Sequence, residues 1–227
     1  MEYFFVHVGK CAGTSISFGL NSLKVPYKEL HCGNADEEFA ENAIRDDIHW
    51  IIAVRDPISR FVSAFYWDLY EKRISTNRPG PKGIWTTIYE SFKTPNELAE
   101  SLTTGSSEMK ELAHAAFARS YLHMQFTLSW YIPISKAKFL EPGSCSVIRT
   151  ESADADFLRF AETLSDAQWT KTLSREKSDY TEHIENYDKS LSDLALSNLF
   201  HIYRNDWRLL DYMYVRGLID KPYETPV

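Results

Sequence analysis

The hydrophobic pattern alternates between short apolar runs and segments of helical period. Tyr3 to Val8 is an aromatic and β-branched run closed by Gly9, the pattern of a buried strand. Ile16, Leu20 and Leu23 then recur at helical spacing, with Thr14 placed to cap that helix. Val25 to Leu30 predicts a second strand and Asp36 to Arg45 an acidic helix. His49 to Val54 is the clearest strand, an almost unbroken apolar run of the kind a parallel sheet buries on both faces. Asp56 at an N-cap and Pro57 at the first helical position then start a helix running to about Arg73. Ser75 to Gly83 is loop-like, and Ile84 to Pro133 is mostly helical. Cys145 to Arg149 predicts a further strand, followed by a helix from about Asp154 to Leu164. A last long helix is expected from about Ser190 to Arg216, stopped by Gly217 with Pro222 beyond.

Strands alternating with helices predict an α/β fold: three layers, a mostly parallel central sheet with helices on both faces. Ligands in such folds sit beyond the C-terminal ends of the strands. Gly9 to Thr14, His31 to Asn34 and Arg55-Asp56 all fall at that edge.

Composition narrows the classes. At 227 residues, and at roughly 100–200 residues per domain, a single domain over 1–227 is expected, with a largely helical region of unassigned role at about 72–142. The longest apolar run, Trp50 to Val54, is far short of the roughly 20 residues a membrane helix needs. Met1 to Val6 has no basic n-region or cleavage site, so no signal or anchor is expected, and the expected location is cytoplasmic. Cys11, Cys32 and Cys145 are odd in number and widely spaced, which suits a reducing compartment. A net charge of −7 disfavours a general nucleic-acid binder but not a small anion held by a few placed cations.

Strand, glycine-bearing loop and helix N-terminus make an anion site, to which Lys10 adds a point charge. The nucleotide triphosphatase pattern needs a Lys directly after the last glycine. Here Thr14-Ser15 follow Gly13 and Lys10 precedes it by three residues, so that class is disfavoured. The segment His7-Val8-Gly9-Lys10-Cys11-Ala12-Gly13-Thr14-Ser15 instead resembles the 5′-phosphosulfate loop of sulfotransferases. The likeness is to the branch with carbohydrate sulfotransferases, whose loop often reads His-x-Pro-Lys-x-Gly-Gly-Thr-Ser. This chain departs from that at Gly9 and Ala12. About 45 residues further on, Arg55-Asp56-Pro57-Ile58-Ser59-Arg60-Phe61-Val62-Ser63 closely resembles the family's 3′-phosphate motif, Arg-Asp-Pro-x-x-Arg-x-x-Ser.

The resemblance implies a P-loop-like phosphosulfate-binding loop and 3′-phosphoadenosine 5′-phosphosulfate as donor, without a metal. The donor would be held by Lys10, Cys11, Ala12, Gly13, Thr14 and Ser15 at its 5′ end and by Arg55 and Ser63 at the 3′-phosphate. Leu173 to Ser178 is similar to the family's basic loop, which adds Arg175, Lys177 and Ser178 as contacts, with exposed loop residues as the other reading. Tyr203-Arg204-Asn205-Asp206 resembles the Tyr-x-x-Asp of the family's last helix and is read as a packing feature. Lys10 is the expected stabiliser of charge on the leaving phosphate. His31, just after the second strand, is the expected base, with His7 as runner-up and a turn histidine without a role as the bland reading. The expected acceptor is a small molecule or carbohydrate hydroxyl, less readily an amine. Two other functions stay open, a nucleotide-binding module without a working base and a kinase-like phosphotransferase.

Overall fold

The computed structural model describes residues 1–73, 84–118, 120, 122–164, 169–174, 179–184 and 187–223. In chain order its elements are β1 (Glu2–Val6), α1 (Gly13–Ser22), β2 (Tyr27–Leu30), α2 (Ala35–Asn42), β3 (Ile48–Val54) and α3 (Pro57–Arg73). Four further helices follow as α4 (Ile84–Ser91), α5 (Pro95–Glu100), α6 (Ser107–Ala118) and α7 (Leu128–Tyr131). The chain continues through α8 (Ile134–Ala137), β4 (Cys145–Arg149), α9 (Ala153–Glu162), α10 (Asp193–Ile202) and α11 (Arg204–Val215). The expected Ser75 to Gly83 loop lies outside the described residues.

The contacts divide the chain into two units. The first comprises residues 1–56, 127–176 and 205–223 and holds the whole sheet. The four strands are all parallel, in the order β2-β1-β3-β4. All seven residues of β3 are buried, as a parallel strand covered on both faces must be. The fold is therefore α/β with an all-parallel central sheet flanked by helices, as the alternation predicts. Helix α9 packs against β4 and α2 against β2. Inside this unit Arg149 is spent on structure: its Nε and Nη2 grip buried Asp156 at 3.0 and 3.2 Å.

The second unit comprises residues 57–126, 177–204 and 224–227. It is helical, with α10 on α5 tied by the Asn198 amide, which donates to Ala99 O and Thr103 Oγ1 at 2.9 Å each. Arg60 is buried here and donates Nη2 to the carbonyls of His123 (2.8 Å) and Phe126. These two bonds serve backbone carbonyls. No helix among the described residues is long and apolar enough to cross a membrane.

Two predicted elements change. The long final helix is two helices, α10 and α11, parted at Tyr203 where the backbone leaves helical geometry (φ −94°, ψ 17°). Gly217 does end α11, at φ +71°, in a Schellman motif: its N–H bonds Tyr214 O at 2.9 Å and Leu218 N–H bonds Met213 O at 2.8 Å. Thr14 is not a cap. Helix α1 begins at Gly13, and the cap position is Ala12, in left-handed geometry with no side-chain bond.

Candidate functional site

The strand order sets the site. Going from β1 to β2 the chain moves to one side, and it returns past β1 to place β3 on the other side. The C-terminal ends of β1 and β3 thus flank a topological switch point, where open α/β sheets leave a crevice. The loop after β1 is His7 to Ala12, and the residue after β3 is Arg55. Across this point Arg55 Nη1 donates to Lys10 O at 3.3 Å. Lys10 and Arg55, apart in sequence, are joined at one sheet edge.

The loop achieves its turn with two non-glycine residues in left-handed geometry, Lys10 (φ 67°) and Ala12 (φ 58°). Cys11 between them is buried, its amide bonded to Val8 O at 3.3 Å and its thiol near Gly9 O at 3.8 Å. The first helical bond of α1 runs from Ile16 N–H to Ala12 O at 3.1 Å. Among the described residues the amides of Gly13, Thr14 and Ser15 make no backbone hydrogen bond, and they stand as donors at the positive end of the helix dipole. A capping side chain would have used one of them. Thr14 is half-buried and Ser15 buried.

Behind the loop lies a stack of rings on the β1–β2 ladder. Phe5 and His7 alternate onto one face, and Glu29 pairs with Phe5 across the strands. The rings of Phe5 and His7 stack at 5.4 Å and 18°, and those of His7 and His31 at 4.2 Å and 28°. His7 Nδ1 pairs with a Glu29 carboxylate oxygen. His31 Nδ1 lies 2.7 Å from His7 O. A carbonyl only accepts, so His31 carries its proton on Nδ1 and its basic lone pair on Nε2. A Cβ on Gly13 would sit 1.8 Å from His7 Cδ2, so the loop closes on this ring only because residue 13 has no side chain.

The electrostatics follow from these contacts. The Glu29 carboxyl is held below its ordinary value, chiefly by its hydrogen bond to His7. The His31 imidazole is raised above its ordinary value, first by hydrogen bonding with the Cys32 thiol and then by the His7 carbonyl and the Glu29 charge, against burial. Cys32 is itself in left-handed geometry (φ 59°), with its amide 3.4 Å from Tyr131 Oη.

The exit of β3 is braced from β4. Thr150 Oγ1 donates to Val54 O at 3.1 Å, and Glu151 Oε1 accepts Asp56 N–H at 2.9 Å. The other Glu151 oxygen accepts from Tyr223 Oη at 2.9 Å. Burial and this carboxylate push the Tyr223 phenol up. The Tyr-x-x-Asp reading resolves on Asp206, which is buried with its two carboxylate oxygens on the amides of Leu128 (3.0 Å) and Ser129 (2.8 Å).

Of the residues expected to hold a ligand or move a proton, the structure gathers His7, Lys10 to Ser15, His31 and Arg55 in the first unit. Ser63 belongs to the second, half-buried on α3. Arg175, Lys177 and Ser178 lie outside the described residues. Glu29, Glu151 and Tyr223 were not anticipated. Only the pairing register brings Glu29 beside His7, and nothing local in the sequence reports it.

A family model described as “Sulfotransferase family” matches residues 2–213. No curated protein and no solved structure matches the chain.

Proposed function

The chain belongs to the sulfotransferase family, and we propose that it transfers a sulfuryl group from 3′-phosphoadenosine 5′-phosphosulfate to a hydroxyl group, with a carbohydrate as the acceptor class. The observation that carries this reading is the switch-point pairing of the Lys10 loop with Arg55 at 3.3 Å, beside three unspent helix amides. The amides of Gly13, Thr14 and Ser15 hold the 5′-phosphate oxygens, as backbone donors at a helix start do for anions. Lys10 neutralises the charge that grows on the leaving phosphate as the sulfur–oxygen bond lengthens. Arg55 and Ser63 take the 3′-phosphate, the guanidinium through its planar donor fork. His31 accepts the acceptor's hydroxyl proton on Nε2 as the new oxygen–sulfur bond forms. Arg175, Lys177 and Ser178, which lie outside the described residues, are proposed as further donor contacts on the resemblance alone. No step asks for a metal.

Turnover of labelled donor against a panel of oligosaccharides and small hydroxyl compounds tests this. Lys10→Ala is expected to lower kcat by about 100- to 1,000-fold, the usual cost of one such charge contact. Arg55→Ala is expected mainly to weaken donor binding. Wild-type rates in both variants would remove the assignment.

A further inference from the structure

Glu29 lies on β2, the edge strand of the sheet, where an ordinary carboxylate would be a solvated surface charge. It is instead committed to an imidazole: the His7 side chain is only 14% exposed, and its Nδ1 is tied to Glu29. That pairing leaves the His7 proton on Nδ1, facing the carboxylate. Three further contacts of His7 concern the site. Its ring carries His31 on one side, its outline is filled by Gly13, and its carbonyl sets the His31 tautomer. We propose that Glu29, acting through His7, is a positioning residue for His31 in sulfuryl transfer. The inference rests on the reading of His31 as the base.

Proton accounting gives the pair its purpose. As the acceptor oxygen bonds to sulfur and the bridging sulfur–oxygen bond breaks, the hydroxyl proton moves to His31 Nε2. The product is an imidazolium lying 4.2 Å from the His7 ring. A second cation on His7 would oppose it. With Glu29 present, the three groups share one negative charge, and a single added proton leaves the cluster neutral. The groups that face His31 are Glu29 on β2, His7 at the end of β1, and Cys32 in the following turn, whose thiol contacts Tyr131 of α7. Among these Glu29 is the formal anion. Removing its charge while keeping its shape must make His31 harder to protonate.

The variant is Glu29→Gln, at an exposed position where the amide oxygen still accepts from His7 Nδ1. Histidine ring resonances are titrated by NMR in the free protein, with His31 identified through His31→Asn. The expected result is a downward movement of the His31 midpoint, as loss of a nearby opposite charge requires. The acid limb of the kcat profile should fall by the same amount, with affinity for 3′-phosphoadenosine 5′-phosphate kept within about two-fold. A His31 midpoint that stays in place overturns the proposal, and so does a moved midpoint with an unmoved kcat profile. Absence of sulfuryl transfer in the wild type would overturn the functional reading instead, and the NMR titration would still decide the coupling.

Discussion

Two adjacent small residues in the loop after β1 meet different demands. Ala12 stands at φ 58°, where an L side chain costs about 1–2 kcal/mol. Ala12→Gly should therefore stabilise the protein by about 1 kcal/mol while leaving ligand binding intact, because the site uses backbone there. Gly13 has the opposite need, since its Cβ would overlap the His7 ring at 1.8 Å. Gly13→Ala should cost about 1–3 kcal/mol, as overpacking does, and lower kcat because His7 must move and take the His31 anchor with it. Urea denaturation with kcat for both variants reads these signs; a destabilised Ala12→Gly would mean that the backbone is not left-handed in solution. The first demand was legible, since the family's loop often has glycine where this chain has Ala12. The second was not: it arises from the ring of His7, which is placed against residue 13 by tertiary packing.

Strands were read most reliably where burial leaves no polar face. The predicted β4 coincides with the strand found, and β3 differs by a single residue, its seven side chains all buried. Helix ends were harder, because an end is decided by what the terminal groups bond to. Thr14 has the chemistry of a cap, but Ala12 turns the chain into α1 first. The break at Tyr203 was hidden because apolar residues keep helical period on both sides of it. Asp206, in the first turn of α11, shows what the second helix does: it supplies both acceptors for the two amides at the start of α7. Asp206→Ala strands two buried N–H groups and should cost about 2–4 kcal/mol in urea unfolding. Asp206→Asn keeps one good acceptor and should lose about half as much. Equal stability of all three proteins would show that these bonds are replaced by water.

The two units could not be seen along the chain, because no linker or change of composition marks them. Their boundaries fall after Asp56, Phe126, Glu176, Arg204 and Tyr223, so each unit is assembled from separated segments. The net charge of −7 is likewise a sum that hides local order. The first unit sets Lys10, Arg55 and the start of α1 together, so the proposed polyanionic donor would meet cations and amide donors despite the acidic total. This arrangement makes a prediction for the protein as a whole. At 100 times its dissociation constant, 3′-phosphoadenosine 5′-phosphate should stabilise the native state by about 2.7 kcal/mol. For a chain of this size that is a rise in Tm of roughly 5–10 °C. The rise should shrink as salt screens the contacts, since the Debye length falls to about 3 Å at 1 M. It should vanish in Arg55→Ala, and ATP with magnesium should not reproduce it. A shift that ignores both salt and Arg55 would place the nucleotide elsewhere, because charges at the switch point cannot bind a polyanion without responding to either.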